Sequence, residues 1–338
     1  MILQNGSRWR RWRSDGSDML KVAVLDDYQN VALQFADWDR LQPTCDITVF
    51  DRHLGSVDEA AAALIEFDVI CLMRERMAVP AALIERLPRL KLIVVTGAHN
   101  RTLDLAAAAD HGVAVSHTRN ASTQNPTSEL TWALILAASR HVTLESRVLR
   151  EGGWQKTVGT TLHGRTLGVL GLGRLGSVVA NIGKAFGMEV VAWSPNLTAQ
   201  RAAAAGARLV SKAELFSNSH VVTLHMVLGD STRGLVAARD LALMAPDAIL
   251  VNTSRGPLVD EAALIDVLQR RAIAAAALDC FDIEPLPAEH PFRTLDNVVA
   301  TPHLGYVTRE TFEVFLADTV ENIEAFVAGC PVRLLGAH

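Results

Sequence analysis

Aromatic side chains are scarce in this chain, at 5% of 338 residues, with only two tyrosines. Its four cysteines, Cys45, Cys71, Cys280 and Cys330, include no CxxC pair. That spacing argues against a zinc ribbon or a disulfide scaffold. Cys71 and Cys280 lie in apolar runs and read as small core residues. No histidine pair has the HExxH spacing, so no metal is expected. No apolar run approaches the roughly 18 residues of a membrane span. A formal net charge of −5 gives no reason to expect nucleic acid as a partner. There is no secretory signal, and a cytoplasmic setting is the expectation.

What is present is a large apolar fraction, 49%, against 20% charged residues. That balance suits sizeable cores, and the length allows about two domains. Residues 1–18, MILQNGSRWRRWRSDGSD, stand apart as basic and Trp/Arg-rich, and are expected to be a disordered tail. From Met19 onward, short apolar runs alternate with helical stretches. KVAVLDD, DITVFD, DVICLM, LKLIVVTGA and VAVSHT read as strands. VALQFADWDRL, VDEAAAALIEF, PAALIERLP and DLAAAADHG read as helices between them. One long helix is expected from Pro126, PTSELTWALILAASRHVTLESRVLREG, closed by Gly152-Gly153. A second series follows, with strands in TLGVLGLGRLG, EVVAWS, HVVTLHMVL, AILVNTS, AAALDCF and NVVATPH. Alternation of this kind predicts α/β architecture with parallel sheets covered by helices on both faces. The last strongly periodic segment, TRETFEVFLADTVENIEAFVAG, comes too late for another crossover and is expected to return to the first domain.

Gly171, Gly173 and Gly176 form G-x-G-x-x-G between an apolar strand and a helix. In that context the first glycine permits a tight turn, the second leaves room for a pyrophosphate, and the third allows close helix–sheet packing. The helix start, through the amides of Arg174 and Leu175, offers donors to phosphate. A nicotinamide dinucleotide, NAD or NADP, is the expected cofactor. The following strand, EVVAWSPNL, ends without the carboxylate that grips the ribose hydroxyls of NAD. Ser194 and Asn196 stand there instead, so the 2′-phosphate of NADP is not repelled, and NADP is favoured with dual use expected.

Three consecutive strand tips then carry Arg255, Glu284 and His303. Together they suit hydride transfer to and from a small 2-oxo or 2-hydroxy acid. A histidine exchanges the hydroxyl proton, a carboxylate orients it, and a guanidinium holds a substrate carboxylate in two-pronged fashion.

These motifs, together with ILVNTSRGPLVDEAALIDVL and AAALDCFDIEPLP, make the chain resemble the D-isomer-specific 2-hydroxyacid dehydrogenases, which include glyoxylate/hydroxypyruvate reductases and phosphoglycerate dehydrogenases. The likeness runs over nearly everything after Met19 and is most specific from Gly164 to Gly305. It implies two doubly wound parallel-sheet domains, Rossmann-like and flavodoxin-like, with an active-site cleft between them. The boundaries implied are 19–120 plus 306–334 for the substrate domain and 121–305 for the NAD(P)-binding domain. The resemblance further implies Arg255 as substrate-orienting cation, His303 as acid/base and Glu284 as its partner. It implies that Asp279 contacts the nicotinamide carboxamide and that Thr253 lies along the cofactor, with His225 read as part of the cofactor wall. It assigns the substrate carboxylate to the loop Gly97-Ala98-His99, with Arg74 near a second substrate contact or in a surface ion pair. A homodimer built around the helix after Pro126 is also implied. A dinucleotide-sensing corepressor on the same fold, with little catalysis, is the alternative.

Overall fold

The computed structural model describes residues 19–120 and 125–336, and the tail expected over residues 1–18 lies outside them. Residues 19–120 and 308–336 form one compact unit, and 125–307 form another.

The first unit is built on five strands, β1 (Leu20–Val24), β2 (Cys45–Val49), β3 (Val69–Leu72), β4 (Leu92–Val95) and β5 (Ala114–His117). Their order is β2-β1-β3-β4-β5, and every pairing is parallel. VICL and LIVV, in β3 and β4, are buried throughout, as parallel strands covered on both faces must be. Helix starts are where side chains can cap them. Ser56 accepts from the Glu59 amide before Val57–Leu64, and Asp104 from the Ala107 amide before Leu105–Asp110. The final helix, Arg309–Val327, belongs to this unit. It is tied to the end of β5 by Asp318, which accepts from the Arg119 amide and guanidinium, and by Asn322, which donates to the His117 carbonyl.

One segment departs from its expected helix. VALQFADWDRL folds as two 3-10 turns, Ala32–Gln34 and Trp38–Leu41. Asp27 accepts from the Ala32 amide and the Trp38 indole donates to the Ala32 carbonyl. These side-chain bonds offer the backbone an alternative to a continuous helix.

The second unit holds β6 (Thr166–Leu170), β7 (Glu189–Trp193), β8 (Arg208–Leu209), β9 (Val221–Leu224), β10 (Ile249–Asn252), β11 (Ala275–Leu278) and β12 (Val298–Ala300). All pair in parallel in the order β12-β11-β10-β9-β6-β7-β8. Chain direction across the sheet reverses between β6 and β9, the point where open α/β sheets take their ligands. Leu170, Phe216 and Leu250 pack on one face, and Trp132, Ile135 and Val251 on the other.

The long helix expected from Pro126 is two helices, Asn125–Arg140 and Val142–Arg150. They break at His141, which sits at a φ of 53°. The returning chain supplies the cause: the Thr160 amide donates to the Ser139 carbonyl, which a continuous helix would use itself. No helix among the described residues is long and apolar enough to cross a membrane.

Candidate active site

At the reversal point the backbone itself is crowded. Gly171 has a φ of 102°, and a Cβ there would lie 2.6 Å from the His225 carbonyl oxygen. A Cβ on Gly176 would lie 2.1 Å from the Gly171 carbonyl oxygen. Only glycine lets β6 turn against β9 while the helix Arg174–Ala185 packs onto the turn. Gly173 is different: it is exposed, and a Cβ on it would meet nothing within 4 Å. Open space over a helix start, with the Arg174 and Leu175 amides at its first turn, fits a pyrophosphate. Arg174 is exposed and Leu175 half-buried beside it.

The tip of β7 is joined to this turn by the Gly171 amide, which donates to the Trp193 carbonyl at 2.8 Å. Ser194 follows, half-buried, and then Asn196, exposed. Arg201 is the next Lys or Arg along the chain. In the structure its Nη1 donates to the Asn196 carbonyl at 3.2 Å, which brings the guanidinium to the turn. His225, at the tip of β9, is half-buried, with Nε2 2.9 Å from the Thr223 hydroxyl. Burial pushes its imidazole down to about 4, so the ring is neutral at pH 7.

The loops after the next three strands carry the remaining candidate residues. Arg255 follows β10, half-buried, with Nη1 donating to the Ser254 carbonyl and its own carbonyl accepting from the Asn252 side chain. Gly256 lets this loop press on the segment after β11, where a Cβ would come within 2.1 Å of the Phe281 backbone. Thr253 is buried with its hydroxyl 2.8 Å from that of Thr131. His303, after β12, has a φ of 55° and points Nδ1 at Glu284 Oε2, 2.6 Å away. The other carboxylate oxygen of Glu284 accepts from the Phe281 amide at 2.9 Å. A carboxylate oxygen accepts, so Nδ1 is the donor in this pair and Nε2 is the other ring nitrogen.

Asp279 is buried and takes three donors from the loop that bears His303. Oδ1 accepts from the Thr301 hydroxyl and the Leu304 amide, and Oδ2 from the Gly305 amide. Desolvation raises its carboxyl above the ordinary range, against the pull of those bonds. Its hydrogen bonds are with the Thr301 side chain and with the backbone of Leu304 and Gly305. Thr301 was not singled out in the sequence, because nothing in a lone threonine after a strand signals a partner 22 residues earlier.

In the first unit, Arg74 sits beyond β3 with a φ of 54°, and its Nη1 donates to the Thr96 carbonyl. The Gly97 amide donates to the Thr118 hydroxyl and the Ala98 amide to the Asn120 side-chain oxygen. Nη1 of Arg74 lies 1.6 Å from where a Cβ on Gly97 would be, so the guanidinium rests directly on the glycine. His99 is exposed and Ala98 half-buried. Thr118 and Asn120, which hold the two amides, went unrecognised in the sequence.

Residues 132–305 match the model of the D-isomer specific 2-hydroxyacid dehydrogenase NAD binding domain. The glyoxylate reductase of Aeropyrum pernix is 37% identical over 317 residues, spanning 91% of this chain and 90% of that one. The D-3-phosphoglycerate dehydrogenase of Methanocaldococcus jannaschii is 33% identical over 92% of this chain, which spans 58% of its length. Among solved structures, a phosphoglycerate oxidoreductase from Vibrio cholerae superposes with a TM-score of 0.86. It shares 38% identity and covers 91% of this chain and 99% of its own.

Proposed function

We propose that this chain, which belongs to the D-isomer-specific 2-hydroxyacid dehydrogenase family, interconverts a small 2-oxo acid and its 2-hydroxy acid with His303 as acid/base. Glyoxylate, hydroxypyruvate and 3-phosphoglycerate define the size and charge of the substrate class. The observation that carries the reading is the 2.6 Å contact between His303 Nδ1 and Glu284 Oε2, which leaves Nε2 for the substrate oxygen.

The nicotinamide dinucleotide, when bound, supplies or accepts the hydride at C2. The chain does the rest. In the reductive direction, His303 Nε2–H donates its proton to the oxygen of the 2-oxo group, and Glu284 stabilises the imidazolium before that transfer. The Arg255 guanidinium holds the carboxylate and polarises the neighbouring carbonyl. Asp279 fixes the loop through Leu304 and Gly305, so that the His303 ring is presented in one orientation. The dinucleotide would be held by Gly171, Gly173 and Gly176, by the amides of Arg174 and Leu175, and along Thr253 and His225. Asp279 is also the candidate for the nicotinamide carboxamide.

NADP is the favoured form. A carboxylate is missing at Ser194, the Ser194 and Asn196 side chains can donate to a phosphate, and the Arg201 guanidinium is bonded to the same turn. Gly97, Ala98 and His99, with Arg74, form the substrate-binding loop of the first unit. A homodimer fits the second unit, because Val142, Leu149, Trp154 and Val158 are 53%, 60%, 72% and 92% exposed along one stretch.

The test is a matrix of 2-oxo acids against NADH and NADPH, followed by absorbance at the nicotinamide band. Oxidation of the reduced cofactor by at least one small 2-oxo acid is expected, faster with NADPH. No consumption with any acid would overturn the activity.

A further inference from the structure

The loop assigned to the substrate carboxylate already has an acceptor on it. In the first unit the Ala98 amide donates to Oδ1 of Asn120 at 3.2 Å. The same oxygen lies 3.5 Å from where a Cβ on Gly97 would be, and Arg74 Nη1 lies 1.6 Å from that point. A guanidinium and an amide oxygen are thus gathered over one glycine. The remaining bonds hold this arrangement in place. The Gly97 amide is fixed by the buried Thr118 hydroxyl at 2.7 Å. The Arg74 amide is fixed by the Thr96 hydroxyl, and the Arg74 carbonyl by the Asn100 side chain. Asn120, by contrast, is exposed.

We infer that Asn120 is a displaceable stand-in for the substrate carboxylate, and so a residue that sets substrate affinity. The inference rests on the activity proposed above. An amide oxygen accepts from the Ala98 N–H in the way a carboxylate oxygen would, without the charge. A bond from the same N–H to an ionised oxygen is about twice as strong as a neutral one. A carboxylate therefore displaces Oδ1 with a net gain, and the Arg74 guanidinium beside Gly97 adds to it. A neutral carbonyl exchanges one neutral bond for another and gains nothing at this position. Asn120 thereby makes the loop selective for acids, while lowering its affinity for them by the worth of one neutral bond.

Two substitutions separate this from a purely structural role. Asn120→Ala removes the internal competitor. KM for the 2-oxo acid should fall about three- to tenfold, the worth of one neutral hydrogen bond, with kcat unchanged within about twofold. Asn120→Asp puts a permanent charge where the substrate charge goes, beside Arg74. KM should rise more than about tenfold at pH 7, again with kcat little changed. A structural cap would instead give higher KM and lower thermal stability in both variants, and that result overturns the inference.

Oxalate, which binds as a carboxylate and is not reduced, tells failure of this inference from failure of the activity. If the wild type reduces no acid, yet oxalate raises Tm most in Asn120→Ala and least in Asn120→Asp, the carboxylate subsite stands and the activity falls. If oxalate shifts the Tm of all three proteins alike, Asn120 is not the stand-in, whatever the turnover.

Discussion

His303 and Glu284, nineteen residues apart in sequence, face each other with Nδ1 2.6 Å from Oε2. The pair is anchored at both ends. Glu284 accepts from the Phe281 amide, and the His303 loop is held by Asp279. A carboxylate at Nδ1 fixes which ring nitrogen donates to it. Glu284→Gln keeps the shape and removes the charge, and should lower kcat about 10- to 100-fold, with the dinucleotide Kd unchanged. Steady-state kinetics and cofactor titration of the purified variant check this, and unchanged kcat would remove Glu284 from the mechanism.

In the proposed function, cofactor choice turns on Ser194. A carboxylate there would accept from the ribose hydroxyls of NADH and repel the 2′-phosphate of NADPH. Ser194→Asp should move the ratio of kcat/KM for NADPH over NADH toward NADH by about tenfold or more, roughly 1.4 kcal/mol. A wild type that already prefers NADH by a hundredfold would show that Ser194, Asn196 and Arg201 do not bind phosphate.

His225 gives the second unit a pH-dependent stability. Burial favours its neutral form and holds it at about 4, against an ordinary value of 6.5. A depressed folded value means the stabilising contribution is complete above pH 6.5 and is lost as pH falls toward 4. Relative to His225→Gln, the wild type should lose on the order of 1–2 kcal/mol of unfolding free energy between about pH 7 and pH 5. Urea unfolding of the two proteins at both pH values measures it. Parallel pH dependence would mean that His225 ionises freely in the fold.

Much of this was legible in the sequence, and the parts that were not share a cause. Apolar runs such as VICL and LIVV announce buried strands, because a parallel strand is covered on both faces. The glycine spacing announced the turn, and the structure supplies a close contact for Gly171 and for Gly176. Arg255, Glu284 and His303 follow three successive apolar strands in the sequence, and the structure brings His303 and Glu284 together. What stayed hidden are bonds between side chains and distant backbone. Hydrophobic period does not report that Thr160 takes the Ser139 carbonyl and breaks a helix at His141. Nor does it report that the Trp38 indole replaces a helix with turns. The holds of Asp279 on Leu304 and of Thr118 on Gly97 span 25 and 21 residues, and one sequence carries no trace of them.

The exposed apolar side chains of Val142, Leu149, Trp154 and Val158 form the proposed dimer contact. Trp154→Lys together with Val158→Lys should shift the sedimentation coefficient from dimer to monomer, while the far-ultraviolet circular dichroism is unchanged. A wild type that sediments as a monomer would contradict the dimer directly.

The most direct test of the central claim is turnover of His303→Ala with the best 2-oxo acid and saturating reduced dinucleotide. A fall in kcat of about 10²- to 10⁴-fold is expected, with cofactor affinity within about twofold of wild type. Turnover equal to wild type would contradict the assignment of His303 as the group that moves the proton.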